Sequence, residues 1–188
     1  MKSVLISINP TWCEKIVGGE KTIEVRKTRP KMTTPFKCYI YCTKGQERLV
    51  AILKDGDENY GEIYHGKPVF IKTSVPAVCD MYGKRKMVIG EFICNKIDNI
   101  KPANEPYGTY DIDDDYVART CLLYGDMWNY GKGKPLFGWN ISDFQLYDRP
   151  LELGEFTGFR KTKFGMEPVT ITRPPQSWCY VEEREWND

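Results

Sequence analysis

Lys21, Glu24 and Arg26 stand close together in the stretch Gly18 to Pro30, GGEKTIEVRKTRP. A carboxylate such as Glu24 accepts hydrogen bonds from the exocyclic amine of a nucleobase. The guanidinium of Arg26 forks onto phosphate or stacks on a base. Lys21 offers two chemistries. As an ammonium it donates to phosphate or to a base oxygen. Desolvated and deprotonated, it is a nucleophile or a general base. A nearby Glu24 favours the donor role. Lys27, Arg29 and Lys31 follow as a local basic patch, suited to a nucleic-acid backbone or simply solvated. A bare Glu24–Arg26 surface ion pair, worth little, is the bland alternative.

These groups need elements to aim them. Ile23 and Val25 alternate with Thr22, Glu24 and Arg26, the pattern of a half-buried strand. Glu24 and Arg26 then share a face. Strict alternation would put Lys21 on the other face. A pocket shared by all three therefore requires Lys21 to lie on a turn, before pleating begins. Upstream, Val4 to Ile8 reads as a strand. Asn9 is a helix N-cap with Pro10 at the first helical position. Trp12, Cys13, Ile16 and Val17 carry helical spacing, and Gly18-Gly19 stops the helix. Asn9 and Trp12 thus sit at a strand–helix junction beside the motif strand. Asn9 can line a cleft there, and Trp12 can serve as a stacking wall or as core.

Downstream, Cys38 to Thr43 reads as a strand, with Cys38, Ile40 and Cys42 on one face and Tyr39 and Tyr41 on the other. Residues 44 to 86 read as an insertion with its own hairpin. Leu49 to Leu53 and Val69 to Ile71 are its short strands, and Asp55-Gly56, Tyr60-Gly61, His65-Gly66 and Tyr82-Gly83 its turn signals. Met87 to Ile97 is almost continuously apolar and predicts a central strand buried on both faces, with Gly90 marking a bulge or a close approach. The acidic run Asp111 to Asp115 opens a helix over about Asp114 to Tyr124, closed by Gly125. Gly131 to Lys134 (GKGK) reads as a flexible basic turn, lacking the context of a phosphate-binding P-loop. Leu136 to Ile141, Phe144 to Leu153 and Ser177 to Val181 are further strands, with Pro150 near an edge. Short strands with two short helices, and no long βα alternation, predict an α+β protein built on a small mixed β-barrel.

The 188 residues fit a single domain with an insertion at about 44–86. A net charge of +1 excludes a globally basic coat, so any nucleic-acid contact must be local. No apolar run approaches the ~20 residues of a membrane span, and the start lacks a signal peptide. The expectation is a cytoplasmic protein without membrane contact. Seven cysteines without a Cys-x-x-Cys pair, and His65 as the only histidine, predict reduced thiols and no metal site. No cofactor motif is present.

Gly19, Lys21, Glu24 and Arg26 fit the pattern G-x-K-x-x-E-x-R, which resembles the ASCH domain family, a branch of the PUA-like β-barrels. The order strand, short helix, motif strand, then the Gly90-Glu91-Phe92 strand is similar to that family. The closing WNISDFQLYDRPLEL and RPPQSWCYV resemble bacterial and phage ASCH-like proteins. The resemblance implies a PUA-like barrel with a cleft beside the motif strand, binding RNA or a modified nucleotide through Lys21, Glu24 and Arg26. One branch of the family hydrolyses the acyl amide of acetylated cytidine with a Lys at the position of Lys21. There a Thr stands where Glu24 stands here, and a later Glu takes part, for which Glu105 is the candidate. Another member is a ribonuclease. The resemblance therefore leaves three functions open: a nucleotide- or RNA-binding module using Lys21, Glu24, Arg26, Lys27, Arg29, Asn9 and Trp12; a hydrolase with Lys21, Glu24 and Glu105 catalytic; and a non-catalytic protein-interaction domain.

Overall fold

The computed structural model describes residues 1–44, 50–52, 59–64, 67–72, 86–104 and 108–184. The apolar run near the start forms strand β1 (Lys2–Ile8), buried on both faces from Ser3 onward. Asn9 caps helix α1 (Pro10–Val17), its side-chain oxygen accepting from the Thr11 N–H at 3.1 Å. The helix ends at Gly18, and Gly19 takes φ +77°, a conformation that favours glycine. Cys13 and Ile16 bury one side of α1 against the sheet, as the helical spacing requires. Strand β2 (Ile23–Arg26) carries the motif.

Strand β3 (Phe36–Cys42) runs parallel to β1, in register from Val4 against Cys38 to Ile8 against Cys42. The short strands β4 (Val50–Ile52), β5 (Asn59–Tyr64) and β6 (Lys67–Lys72) pair with one another in a separate antiparallel sheet. Tyr60-Gly61 lies within β5 and is not a turn. The turn signals at Asp55-Gly56, His65-Gly66 and Tyr82-Gly83 lie outside the described residues. Strand β7 (Val88–Ile100) follows. Val88, Ile89, Phe92 and Cys94 are fully buried, but Ile93 is only partly buried and Asn95 and Lys96 are exposed, so the strand is buried on both faces only in its first part. Gly90 sits at a register shift, and a Cβ there would run into the Gln145 carbonyl oxygen. The glycine is a close backbone approach.

The helix expected over 114–124 is two helices. Asp113 caps α2 (Asp114–Thr120), its carboxylate accepting from the Tyr116 N–H at 2.7 Å. Cys121 then turns left-handed at φ +55° and ends it. A second helix, α3 (Tyr124–Gly131), starts after Leu123, whose N–H is held by Asp126 at 3.3 Å. Gly125 therefore lies inside α3 rather than closing α2, and Gly131 is the last residue of α3 rather than part of a free turn.

The two strands expected over 136–153 are one, β8 (Leu136–Leu151). It stays continuous because β7 follows it through three register shifts. A 3-10 turn at Leu153–Glu155 leads to a hairpin of β9 (Thr157–Thr162) and β10 (Gly165–Thr170), then to β11 (Trp178–Glu182).

The main sheet has eight strands in the order β10-β9-β11-β1-β3-β7-β8-β2. It is mixed and barrel-like but not closed, with β2 and β10 as its two ends. One core lies between α1 and the sheet around Ile6, Ile40, Phe92 and Trp139. A second, on the opposite face, holds Leu5, Tyr39, Tyr41 and Phe156. A third joins α2 and α3 to β2 and β8 through Val25, Val117, Met127 and Leu136. Cys38 and Cys42 are core residues, and the six cysteines among the described residues are free thiols. No described helix is long and apolar enough to cross a membrane.

Candidate functional site

Because β2 begins only at Ile23, Lys21 lies on the turn after α1, where its side chain can meet Glu24. The Lys21 ammonium donates to the Ile23 carbonyl at 2.9 Å and to the Thr120 carbonyl at 2.6 Å, and stands 3.3 Å from Glu24 Oε2. The Thr120 carbonyl is one of the unpaired acceptors at the end of α2, where a cation is favoured. The turn itself is tied to that helix end, since the Thr22 N–H donates to the Arg119 carbonyl at 3.0 Å. Both partners of the ion pair are buried, Lys21 at 2% exposure and Glu24 at 6%.

Arg26 completes the set. Its Nε lies 2.9 Å from Glu24 Oε1, and its Nη2 donates to the Ser7 carbonyl on β1 at 2.6 Å. Its Nη1 approaches Ser177 Oγ at 3.4 Å. β2 and β1 are not hydrogen-bonded neighbours in the sheet. The guanidinium therefore ties the end strand β2 to the C-terminal end of β1. Glu24, with one oxygen on each cation, is the centre of a Lys–Glu–Arg triad.

The triad lines a cleft of about 350 Å³. Ser7, Ile8, Asn9 and Trp12 form one wall, with Thr43 and Gln176 beside it. Leu122, Asp126 and Tyr130 come from the α2–α3 junction and α3. Asp126 and Tyr130 are four residues apart on a helix and so share a face. Lys21 Nζ stands 5.3 Å from the centre of the Trp12 ring, a cation–π contact. Burial pushes the Tyr130 phenol above its usual range, and Glu24 adds to this, while Arg26 and the Lys27 backbone N–H oppose it. Burial and a hydrogen bond with Cys42 raise the Cys13 thiol.

Of the residues expected at the site, Lys21, Glu24, Arg26, Asn9 and Trp12 line this one cleft. Lys27 and Arg29 do not line it. They are exposed on the loop after β2, with Lys27 Nζ 4.5 Å above the Tyr130 ring and Arg29 5.8 Å from that of Phe137. Glu105 lies outside the described residues. The sequence reading missed Asp126 and Tyr130 because it closed the helix at Gly125 and assigned no element to residues 126–130, although their four-residue spacing is a helical signal. It missed Ser7, Thr43 and Gln176 as well, which no local pattern marks. Among the described residues, no group of three or more His, Cys, Asp or Glu side chains is placed to hold a metal ion.

No protein-family model and no curated protein matches the sequence. Solved structures do match. The crystal structure of ASCH from Zymomonas mobilis superposes with a TM-score of 0.53 at 19% identity, over 96% of this chain and 88% of that one. A serine-to-alanine variant of the same protein gives 0.51 at 18% identity, over 96% and 89%. At this identity the likeness is one of fold. The open, barrel-like mixed sheet with its short helices, matched over nearly the whole chain, is an ASCH-like fold.

Proposed function

We propose that the chain is a nucleotide- or RNA-binding module that takes a base into the cleft beside β2. The observation that carries this reading is the buried Lys21–Glu24–Arg26 triad on the floor of a cleft walled by Trp12 and Tyr130. The volume suits a group the size of a nucleobase, and the lining combines aromatic faces with a few fixed polar groups, as small-molecule sites do. Four charged side chains line the cleft, two cations and two carboxylates. Lys21 and Arg26 are already engaged by Glu24 and by backbone carbonyls. Such a balanced site suits a neutral, hydrogen-bonding ring better than an isolated phosphate. Asp126, bonded to a backbone N–H at 3.3 Å and otherwise facing solvent, offers acceptors to the amine of a base.

A hydrolytic reading is kept by one observation, that Asp126 and Lys21 line the same cleft. A carboxylate on α3 would then act as the acid or base that an acylated nucleoside requires. The geometry of Lys21 favours binding over nucleophilic attack, since its ammonium already serves two carbonyls and a carboxylate.

Calorimetric titration with plain and acylated nucleosides and short RNAs, with product analysis of the same mixtures, tests both readings. Binding without turnover, weakened in Glu24→Gln at unchanged fold, supports the module. Turnover lost in Asp126→Asn assigns a hydrolase. Binding that persists unchanged in Glu24→Gln removes the cleft from the function.

A further inference from the structure

The hairpin of β9 and β10 ends the main sheet, and every residue of β10 is exposed. Its open surface is not uniformly polar. Phe164 at the tip is 83% exposed and Met166 54%. In the antiparallel register Lys161 stands opposite Met166, and Phe159 opposite Pro168. Cross-strand partners share a face. That face continues onto β1 and β11, where Lys2 Nζ lies 5.4 Å from the centre of the Phe159 ring and 5.6 Å from that of Tyr180. Arg160, Lys161 and Lys163 are exposed, and among the described residues none of them has a carboxylate within ion-pair distance. The one carboxylate of the hairpin, Glu167, accepts from Thr162 Oγ1 at 3.1 Å. Apolar side chains grouped on an open face mark a contact surface. Pro168 limits the kind of contact. The β9–β10 register runs past it without a shift, so its missing N–H belongs to the open edge. A further strand cannot pair there with a full ladder. Docking through the face and the tip remains.

The complement to this hairpin lies on the same chain. Asp111, Asp113, Asp114 and Asp115 are exposed, and among the described residues none of them has a cation within ion-pair distance. Asp111 and Asp113 line an open hollow of about 700 Å³ together with Tyr110, Ile112 and Tyr124. None of the residues lining the hollow lines the cleft. The hairpin is an aromatic knob among cations, and the hollow an aromatic recess among carboxylates. On a chain whose net charge is only +1, these are opposite local excesses. Two hairpins face to face would set cation against cation, which disfavours symmetric pairing through this surface.

We infer that the β9–β10 hairpin docks, head to tail, in the hollow at Asp111 and Asp113 of a second copy of this chain. Phe164 enters the recess, and Lys161 and Lys163 meet the carboxylates around it. The inference is independent of the cleft and of what the cleft binds.

The test is sedimentation velocity over a concentration series at low and high salt. Wild type should self-associate at low salt and dissociate as salt screens the charges. Because the contact joins two different surfaces, the mass should pass that of a dimer as concentration rises. Phe164→Ser should weaken association at least about tenfold, as should the charge reversals Lys161→Glu/Lys163→Glu and Asp111→Lys/Asp115→Lys. Asp113 is left intact because its carboxylate caps α2. Mixing the two charge-reversed proteins restores opposite charges at both contacts, so the mixture should associate where neither protein does alone. That rescue, with circular dichroism melts of each variant, separates a lost contact from a lost fold. Wild type that stays monomeric at low salt overturns the inference. So does association that survives Phe164→Ser, or a mixture that stays monomeric. Monomeric wild type that cosediments with phosphatidylglycerol vesicles, but not after Lys161→Glu/Lys163→Glu, would give the hairpin a lipid surface in place of a second copy.

Discussion

Lys21 and Glu24 form a buried ion pair across a turn, Nζ to Oε2 at 3.3 Å, and neither partner is supported by the other alone. Glu24 also holds Arg26, and Lys21 also serves the last turn of α2 through Thr120. Deleting one member of a buried pair leaves its partner's charge uncompensated, a loss of about 3–5 kcal/mol. Lys21→Met should therefore lower stability on that scale, with a clear drop in the urea midpoint. A loss below about 1 kcal/mol would mean that the triad is solvated in solution. The same variant also strips Thr120 of its donor. Binding assays on Lys21 variants therefore need a melting curve beside them, and so do those on Glu24→Gln, which leaves both cations without their carboxylate.

Arg26 does for the sheet what its hydrogen-bond ladder does not. Its guanidinium spans from β2 to the Ser7 carbonyl on β1, near where the Ser7 N–H donates to the Ser177 carbonyl at 2.9 Å. A lysine keeps the charge but lacks the planar fork. Arg26→Lys should raise hydrogen exchange at the Ser7 amide while leaving the amides of β3 protected, because the contact between β2 and the end of β1 opens locally. Ligand affinity should fall together with that protection. Equal protection in the two proteins would show that the end of β1 is held by something other than Arg26.

Much of this site was legible locally. Asn9-Pro10 announces a helix start, Gly18-Gly19 its end, and the alternation of Ile23 and Val25 puts Glu24 and Arg26 on one face. Parity alone puts Lys21 on the other face; its place on a turn was the condition for a pocket shared with Glu24, and β2 begins only at Ile23. The α2–α3 break was not legible, because Cys121 takes a left-handed conformation without the glycine that usually signals one. That hid α3, and with it Asp126 and Tyr130. The β9–β10 hairpin escaped for a different reason: every residue of β10 is exposed, so no hydrophobic period marks it. Ser7, Thr43 and Gln176 reach the cleft only through pairings distant in sequence, which no window along the chain contains.

A second polar cluster gives the fold a pH dependence of known sign. Asp98 lies 2.7 Å from Lys96 Nζ, accepts from Asn140 Nδ2 at 2.7 Å and from the Tyr116 hydroxyl at 3.2 Å. Burial pushes its carboxyl upward, but Lys96, Asn140 and Tyr116 outweigh burial and hold it below the usual range. In the unfolded chain the group returns to about 3.9. Its contribution is then fully present above that value and is lost as pH falls through the lower folded value. Asp98→Asn should flatten the acid limb of the stability–pH curve below about pH 4. Parallel acid limbs in the two proteins would show that Asp98 is not held in this way.

Gly131 fixes how closely α3 approaches the rest of the molecule, and so where Asp126 and Tyr130 stand over the cleft. A Cβ at this position would collide with the Tyr110 hydroxyl, which donates to the Lys134 carbonyl at 2.9 Å. Tyr110 is itself buried against Trp128 of α3, ring centres 5.7 Å apart, so it has little room to retreat. Gly131→Ala must displace either the ring or the helix end. Overpacking of this kind costs about 1–3 kcal/mol. Tyr110→Phe removes the obstructing oxygen at the expense of one hydrogen bond, about 1 kcal/mol. The two substitutions should therefore be coupled, the double variant being more stable than the sum of the single losses allows. Denaturant melts of the four proteins measure that coupling. If α3 rather than Tyr110 gives way, Gly131→Ala will also weaken ligand binding, and the double variant will restore it. Strictly additive losses would mean that the helix end relaxes without engaging Tyr110.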